Sequence, residues 1–232
     1  MQRKRPVYIM NSAGVADDER QAVKDGVKTI LEIIGLEKEI QIKDLGYWNQ
    51  GSGEYESVDW YLAKAQMATN NGYGSQVNDD KILDLYDNSP LRKEAPHYIV
   101  MIIDKDLTSK RNDGTWYNFV IGDGFQDIGV VLSVKRFRGL SDSQKQEECI
   151  KTLVMHELGH VFGAADGRNG IDALSTQSNS SVLYKDHCDQ ECVMRQGSRV
   201  PDAWIKISED RLKSVRPFCD KCIVEMKKFF ST

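Results

Sequence analysis

The sequence predicts an α/β (α+β) fold: a mixed, twisted β-sheet packed on helices, with a small, polar, cysteine-rich lobe at the C-terminus. Three observations predict it. Short apolar runs alternate with 3.6-period stripes in the order β, α, β, α. The run Tyr98-Ile99-Val100-Met101-Ile102-Ile103 is apolar throughout, as a strand covered on both faces is. Four of the five cysteines fall after the last long periodic stretch. A chain of 232 residues can bury a core without disulfides. We read one domain over 1–232, with an α/β subdomain over 1–163 and a C-terminal subdomain over 164–232.

Each element has a local signal. Val7 to Met10 is the first strand; Asn11-Ser12 interrupts it after four residues, too soon for a secretory core of ~7 to 15 apolar residues, so a cytoplasmic location is expected. Asp17 to Ile34 carries Val23, Val27, Ile30 and Ile34 on one stripe and stops at Gly35, which predicts an amphipathic helix. Ile40 to Leu45 alternates as a half-buried strand, and Val58, Tyr61, Leu62 and Ala65 space as a second helix. Asp79 to Asp87 reads as a short helix ended by Pro90, and His97 to Leu107 as an inner strand. Phe119 to Ile121 and Ile128 to Val134 are further strands, with Gly122-Asp123-Gly124 between them as turn chemistry. Ser143 to Phe162 is helical, and the chain beyond Gly163 is poorly periodic. Within it, Gly167 to Asp186 is a long polar loop containing Ser175, Ser178, Ser180 and Ser181, and its Asn179-Ser180-Ser181 sequon carries no weight without a secretion signal.

Composition removes two classes of partner. With 31 Lys+Arg against 35 Asp+Glu mixed along the chain, no basic face for nucleic acid is implied. No apolar run approaches the ~18 residues of a membrane span.

The chemistry is concentrated on the last long helix, which contains His156-Glu157-Leu158-Gly159-His160. Residues four apart lie one turn above each other, so both imidazoles reach one tetrahedral cation, the HExxH arrangement of zinc peptidases. Glu157 falls about 100° round the axis, between the histidine face and the apolar stripe of Val154, Leu158 and Val161. A carboxylate there is partly shielded and within reach of a water on the metal. Two surface histidines would be the plain alternative. Against it stand the helical context, Gly163 where a chain turning back to the metal needs a glycine, and Met194 in a turn bracketed by cysteines.

These pieces resemble the metzincin zinc peptidases, and within them the archaemetzincins. That pattern is HExxHxxGxxH followed by Cys, a short spacer, Cys-x-Met and later CxxC. Here the parts are His156 to Gly163, His187-Cys188, Cys192-Val193-Met194 and Cys219-Asp220-Lys221-Cys222, in the same order. Asp104 to Leu107, Asn118 to Gly122 and Val131 to Val134 are similar to the strands before the metal helix in that family; the first third of the chain shows no such likeness. The resemblance implies a metzincin-like fold, two Zn2+ per chain, one catalytic and one structural, a Met-turn at Met194, and a sheet-edge segment, Phe119 to Val134, that pairs with extended substrate.

The chain departs from the pattern at position 166, where the third histidine is Asp166. Two arrangements stay open. Asp166 ligates zinc as an oxygen donor in the register of the motif, or Gly167 to Asp186 is an insertion and His187 completes a three-histidine site. Asp166 is favoured, because the turn at Gly163 delivers it without a detour. Cys188, Cys192, Cys219 and Cys222 read as a closed structural zinc site, Cys149 as a core residue and His97 as structural or exposed. Because His187 and Cys188 are adjacent, the His187 arrangement links the two sites, and Cys188→Ser would weaken both.

The expected activity is hydrolysis of peptide bonds through a zinc-activated water, with Glu157 as general base and then acid and a peptide or protein as substrate. The rival is a non-catalytic zinc-binding scaffold that holds a peptide or protein partner. A zinc hydrolase of non-peptide amides is a third reading.

Overall fold

In the computed structural model, which describes residues 3–68, 75–111, 113–175 and 182–231, alternation of side chains along three inner strands divides the apolar residues between two cores. The chain runs β1 (Val7–Asn11), α1 (Asp17–Ile34), β2 (Ile42–Tyr47), α2 (Val58–Ala68), β3 (Val77–Asn78), α3 (Asp79–Asp87), α4 (Pro90–Glu94), β4 (Tyr98–Ile103) and β5 (Leu107–Thr108). It continues through β6 (Gly122–Phe125), β7 (Gly129–Ser133), a 3-10 turn at Lys135–Phe137, α5 (Ser143–Val161), β8 (Asn169–Gly170), β9 (Tyr184–Lys185), α6 (Asp202–Lys213) and α7 (Asp220–Ser231).

The main sheet has the order β2-β1-β4-β7-β6, parallel except for β6, which pairs antiparallel to β7 at the edge. Tyr98, Val100 and Ile102 of β4 face the core shared with α1 and α5, while Ile99, Met101 and Ile103 face α2 and α3. Every residue of β4 is buried, the reason its sequence shows no alternation. This is the mixed sheet between helices that the sequence predicts, and the cysteine-bearing C-terminal lobe is also present.

Several boundaries differ from the sequence reading, each for a local reason. Gly122-Asp123-Gly124 is not a turn; it is most of β6, and the chain reverses at 126–128 with Asp127 at φ 67°. A Cβ on Gly122 would lie 2.8 Å from Glu157 Cγ, so the edge strand needs glycine to pass the metal helix. Pro90 opens α4 instead of closing α3, which ends at Asn88. The region after Gly163 holds two helices whose buried faces mix polar and apolar residues: Ala203, Trp204, Ile207, Ser208 and Arg211 on α6, and Cys222, Met226, Phe229 and Phe230 on α7. Cys188, Cys192, Met194, Trp204 and Phe218 share the core of Val154 and Leu158, so the lobe is continuous with the sheet half. Residues 176–181 of the Gly167 to Asp186 loop, with the Asn179 sequon, lie outside the described residues.

Candidate metal centre and active-site cleft

α5 starts where the Asp142 carboxylate accepts from the Lys145 backbone N–H at 3.2 Å. Buried side chains fix it along its length. The Glu148 carboxylate pairs with Arg211 of α6, and Arg211 Nε donates to Thr152 Oγ1 at 2.9 Å. At Gly159 an added Cβ would stand 2.3 Å from Met194 Sδ. The glycine of HELGH is therefore what lets Met194 pack directly on the helix beside the two histidines.

His156 and Glu157 are buried, and His160 is nearly so. His156 Nδ1 donates to the Val193 carbonyl at 2.8 Å, which leaves its Nε2 as a lone pair 3.1 Å from His160 Nε2. His187 comes from the far side. Its Nδ1 donates to the Lys185 carbonyl at 2.7 Å, and its ring centroid is 5.3 Å from His156 and 5.1 Å from His160. One nitrogen from each of the three histidines falls within 4.8 Å of the others.

The structure brings His187, and not Asp166, to the pair. Gly163 (φ 76°), Ala165 (φ 62°) and Gly167 (φ 67°) turn the chain outward. Asp166 is left exposed at the rim of a hollow of about 310 Å³ that His160 and His187 also line, and it is not among the groups whose ligand atoms cluster with them. The detour that counted against His187 is closed at its base by β8 pairing with β9, so the long loop costs His187 little positional freedom.

Burial sets the charge state of these groups. It lowers the His156 pKa to about 3 and pulls His160 well below the ordinary histidine value, with the neighbouring imidazoles adding to both shifts. The rings are thus neutral at neutral pH, the form in which an imidazole nitrogen can bind a metal. Glu157 is pushed well above the usual carboxylate value, first by burial, then by Asp123 and Asp79. These carboxylates had no signal in the sequence, because acidic residues at a helix start such as Asp79 are commonplace. Together they line a cleft of about 660 Å³ that also contains Arg111, Tyr117, His187 and Trp204.

Cys188, Cys192, Cys219 and Cys222 converge in the lobe, with Sγ–Sγ distances of 3.7 Å for Cys188–Cys219 and for Cys192–Cys222. Ligands at tetrahedral zinc distances are separated by roughly 3.3 Å for nitrogen and roughly 3.8 Å for sulfur. Both clusters fit that ion. The thiols also polarise one another: hydrogen bonds with Cys188, Cys192 and Cys222 hold Cys219 far below its ordinary value, while Cys188 and Cys219 push Cys192 up and Cys188, Cys192 and Cys219 push Cys222 up. A cation bound between the four sulfurs would favour the thiolate form of each.

The other sequence-picked residues behave simply. Cys149 is buried, its thiol pushed up to about 11 by burial. His97 is buried, stacked on Tyr8 with centroids 3.9 Å apart, and meets the Tyr86 hydroxyl. A third group, Asp79, Asp80 and Asp123, clusters beside Glu157.

No protein-family model matches the chain. It is 25% identical over 160 residues to the archaemetzincin of Nanoarchaeum equitans (strain Kin4-M), covering 69% of this chain and 68% of that protein. The crystal structure of archaemetzincin from Methanopyrus kandleri superposes with a TM-score of 0.61 at 19% identity, covering 98% of this chain and 96% of that one. The fold is the archaemetzincin fold, and the protein is archaemetzincin-like.

Proposed function

We propose that the protein is a zinc-dependent metallopeptidase that hydrolyses peptide bonds, with His156, His160 and His187 as the catalytic zinc ligands and Glu157 as general base and acid. The observation that carries this reading is the convergence of three neutral imidazoles on one side of a buried carboxylate, at the floor of an open cleft. Zinc bound there supplies Lewis acidity, lowering the pKa of a water and polarising a carbonyl. Glu157 takes the proton that the attacking water gives up and delivers it to the departing amine nitrogen. Its raised pKa suits both halves of that task, since a stronger base in the first half still releases the proton to an amine in the second. The free edge of β6 passes over Glu157 and offers backbone groups to an extended peptide.

Cys188, Cys192, Cys219 and Cys222 would hold a second, structural zinc, closed to substrate. Five cysteines without a disulfide among the described residues fit a reducing, cytoplasmic setting. No helix among the described residues is long and apolar enough to cross a membrane. The non-catalytic scaffold drew its support from the missing histidine at position 166, and His187 supplies that donor.

The test is digestion of a peptide library by the zinc-loaded protein, read by mass spectrometry, with Glu157→Gln as control. Cleavage that falls on the order of 10² to 10⁴-fold in the variant, at unchanged zinc content, is the expected result. A zinc-loaded wild type that cleaves nothing, or a variant that cleaves equally well, contradicts the reading.

A further inference from the structure

Arg168 stands on the turn between the metal helix and β8, its side chain 14% exposed, and touches both cysteine pairs. Its Nη2 donates to Cys222 Sγ at 2.7 Å and to Glu225 Oε2 at 3.0 Å, and its Nη1 reaches Cys188 Sγ at 3.7 Å. A divalent zinc with four thiolates carries two net negative charges in a largely buried place, which is costly without a counter-charge. Arg168 is a cation in contact with those sulfurs, and its planar fork spans two of them. The backbone of the same residue does something separate. Its carbonyl accepts from the Asp186 N–H at 2.6 Å, while the next-door Gly167 N–H donates to the Asp186 carboxylate at 2.8 Å. Asp186 precedes His187. β8 and β9 extend this grip with the pairs Asn169–Lys185 and Gly170–Tyr184. A Cβ on Gly170 would lie 2.3 Å from the His187 carbonyl carbon, so the two backbones are in contact.

We propose that Arg168 is a positioning residue that couples the two metal centres: its guanidinium offsets the charge of the thiolate cluster, and its anchored backbone aims His187 at the HExxH histidines. This rests on reading both clusters as zinc sites. His187 is then held from both sides, by Cys188 as a cluster ligand after it and by the Arg168 turn before it. Glu225 completes the clamp, because its carboxylate takes both Arg168 and the Ala165 N–H at 2.9 Å. An ordinary Arg–Glu surface pair would explain the Glu225 contact alone. It would not explain the two sulfur contacts.

The test is zinc release to a chromogenic chelator from the full chain, resolved into its two phases, together with zinc affinity at the histidine site. Arg168→Met and Arg168→Lys are compared with the wild type. The expected result for Arg168→Met is faster release from the cysteine cluster and about tenfold weaker zinc at the histidine site. Arg168→Lys, which keeps the charge but loses the fork, should restore slow cluster release and leave the histidine site weakened by a few-fold. Histidine-site affinity equal to wild type in either variant overturns the coupling, and Arg168→Lys decides alone if Arg168→Met does not fold. A wild type that binds fewer than two zinc ions overturns the two-site reading itself, a result distinct from loss of coupling.

Discussion

Between β1 and α5 the long elements bury apolar surface that shows in the chain, as 3.6-period stripes on the helices and as continuous apolar runs on the inner strands. Beyond Gly163 the segments that complete the site are two-residue strands, left-handed turns and four cysteines, tied by Arg168, Glu225, Arg211 and Glu148. One half is positioned by burial of repeated hydrophobic surface. The other borrows the edge of that same core and is held by buried charge and, on the proposed reading, by chelation, which lets it present His187 from a loop. On the proposed two-zinc reading, a metal site tolerates sequence drift unevenly: the helix must keep its register, while a third ligand can arrive by another route where a second metal would fix the chain beside it.

The largest expected effect comes from breaking the second half alone. Stripping zinc with a strong chelator, or Cys222→Ser, removes metal-binding free energy on the order of 10 kcal/mol from the lobe. Amide exchange should then accelerate around Cys188 to Cys222 while β1 and β4 keep their protection. Equal loss of protection in both halves would contradict the comparison.

A core mutation should do the reverse. Leu132 on β7 is buried among α1 and α5 residues, so Leu132→Ala should lower global stability by about 2 to 5 kcal/mol in urea unfolding and leave zinc content unchanged. Because the lobe shares that core, both halves should melt together in the zinc-loaded variant; separate transitions would mean that the shared apolar contacts do not couple them.

A pH effect sharpens the same contrast without touching a metal ligand. Burial lowers the His97 pKa to about 4, with its bond to the Ala95 carbonyl opposing and Arg92, Lys43 and Arg5 assisting. A depressed folded-state value gives stability that is complete above the unfolded value of about 6.5 and is lost as pH falls through about 4. The size is on the order of 3 kcal/mol. In zinc-free protein the metal-site histidines titrate in the same direction, so His97→Gln in the zinc-loaded protein, compared with wild type between pH 7 and 4.5, isolates this contribution. Identical pH slopes would remove it.

How much was legible follows from what each residue's neighbours are. The strands around Tyr98 to Ile103, the helix Asp17 to Ile34 and the HExxH helix announce themselves because one kind of contact repeats along them. α6 was hidden because its inward face includes Ser208 and Arg211, which meet Cys149, Thr152 and Glu148 instead of carbon. α7 was hidden because Cys222, read as a ligand, is also the first residue of its apolar stripe. β6 reads as a turn because the glycines that let it pass Glu157 are the residues turns use. Position 166 does not reach the histidine pair because register along a motif holds only while the backbone keeps its path, and the left-handed Gly163 and Ala165 redirect it. Both third-ligand candidates were visible; only the geometry orders them.

Metal content per chain decides whether His187 completes the catalytic metal site. Elemental analysis of wild type, His187→Ala and Asp166→Ala should give two zinc ions, one, and two. Two ions retained in His187→Ala with one lost in Asp166→Ala would contradict it.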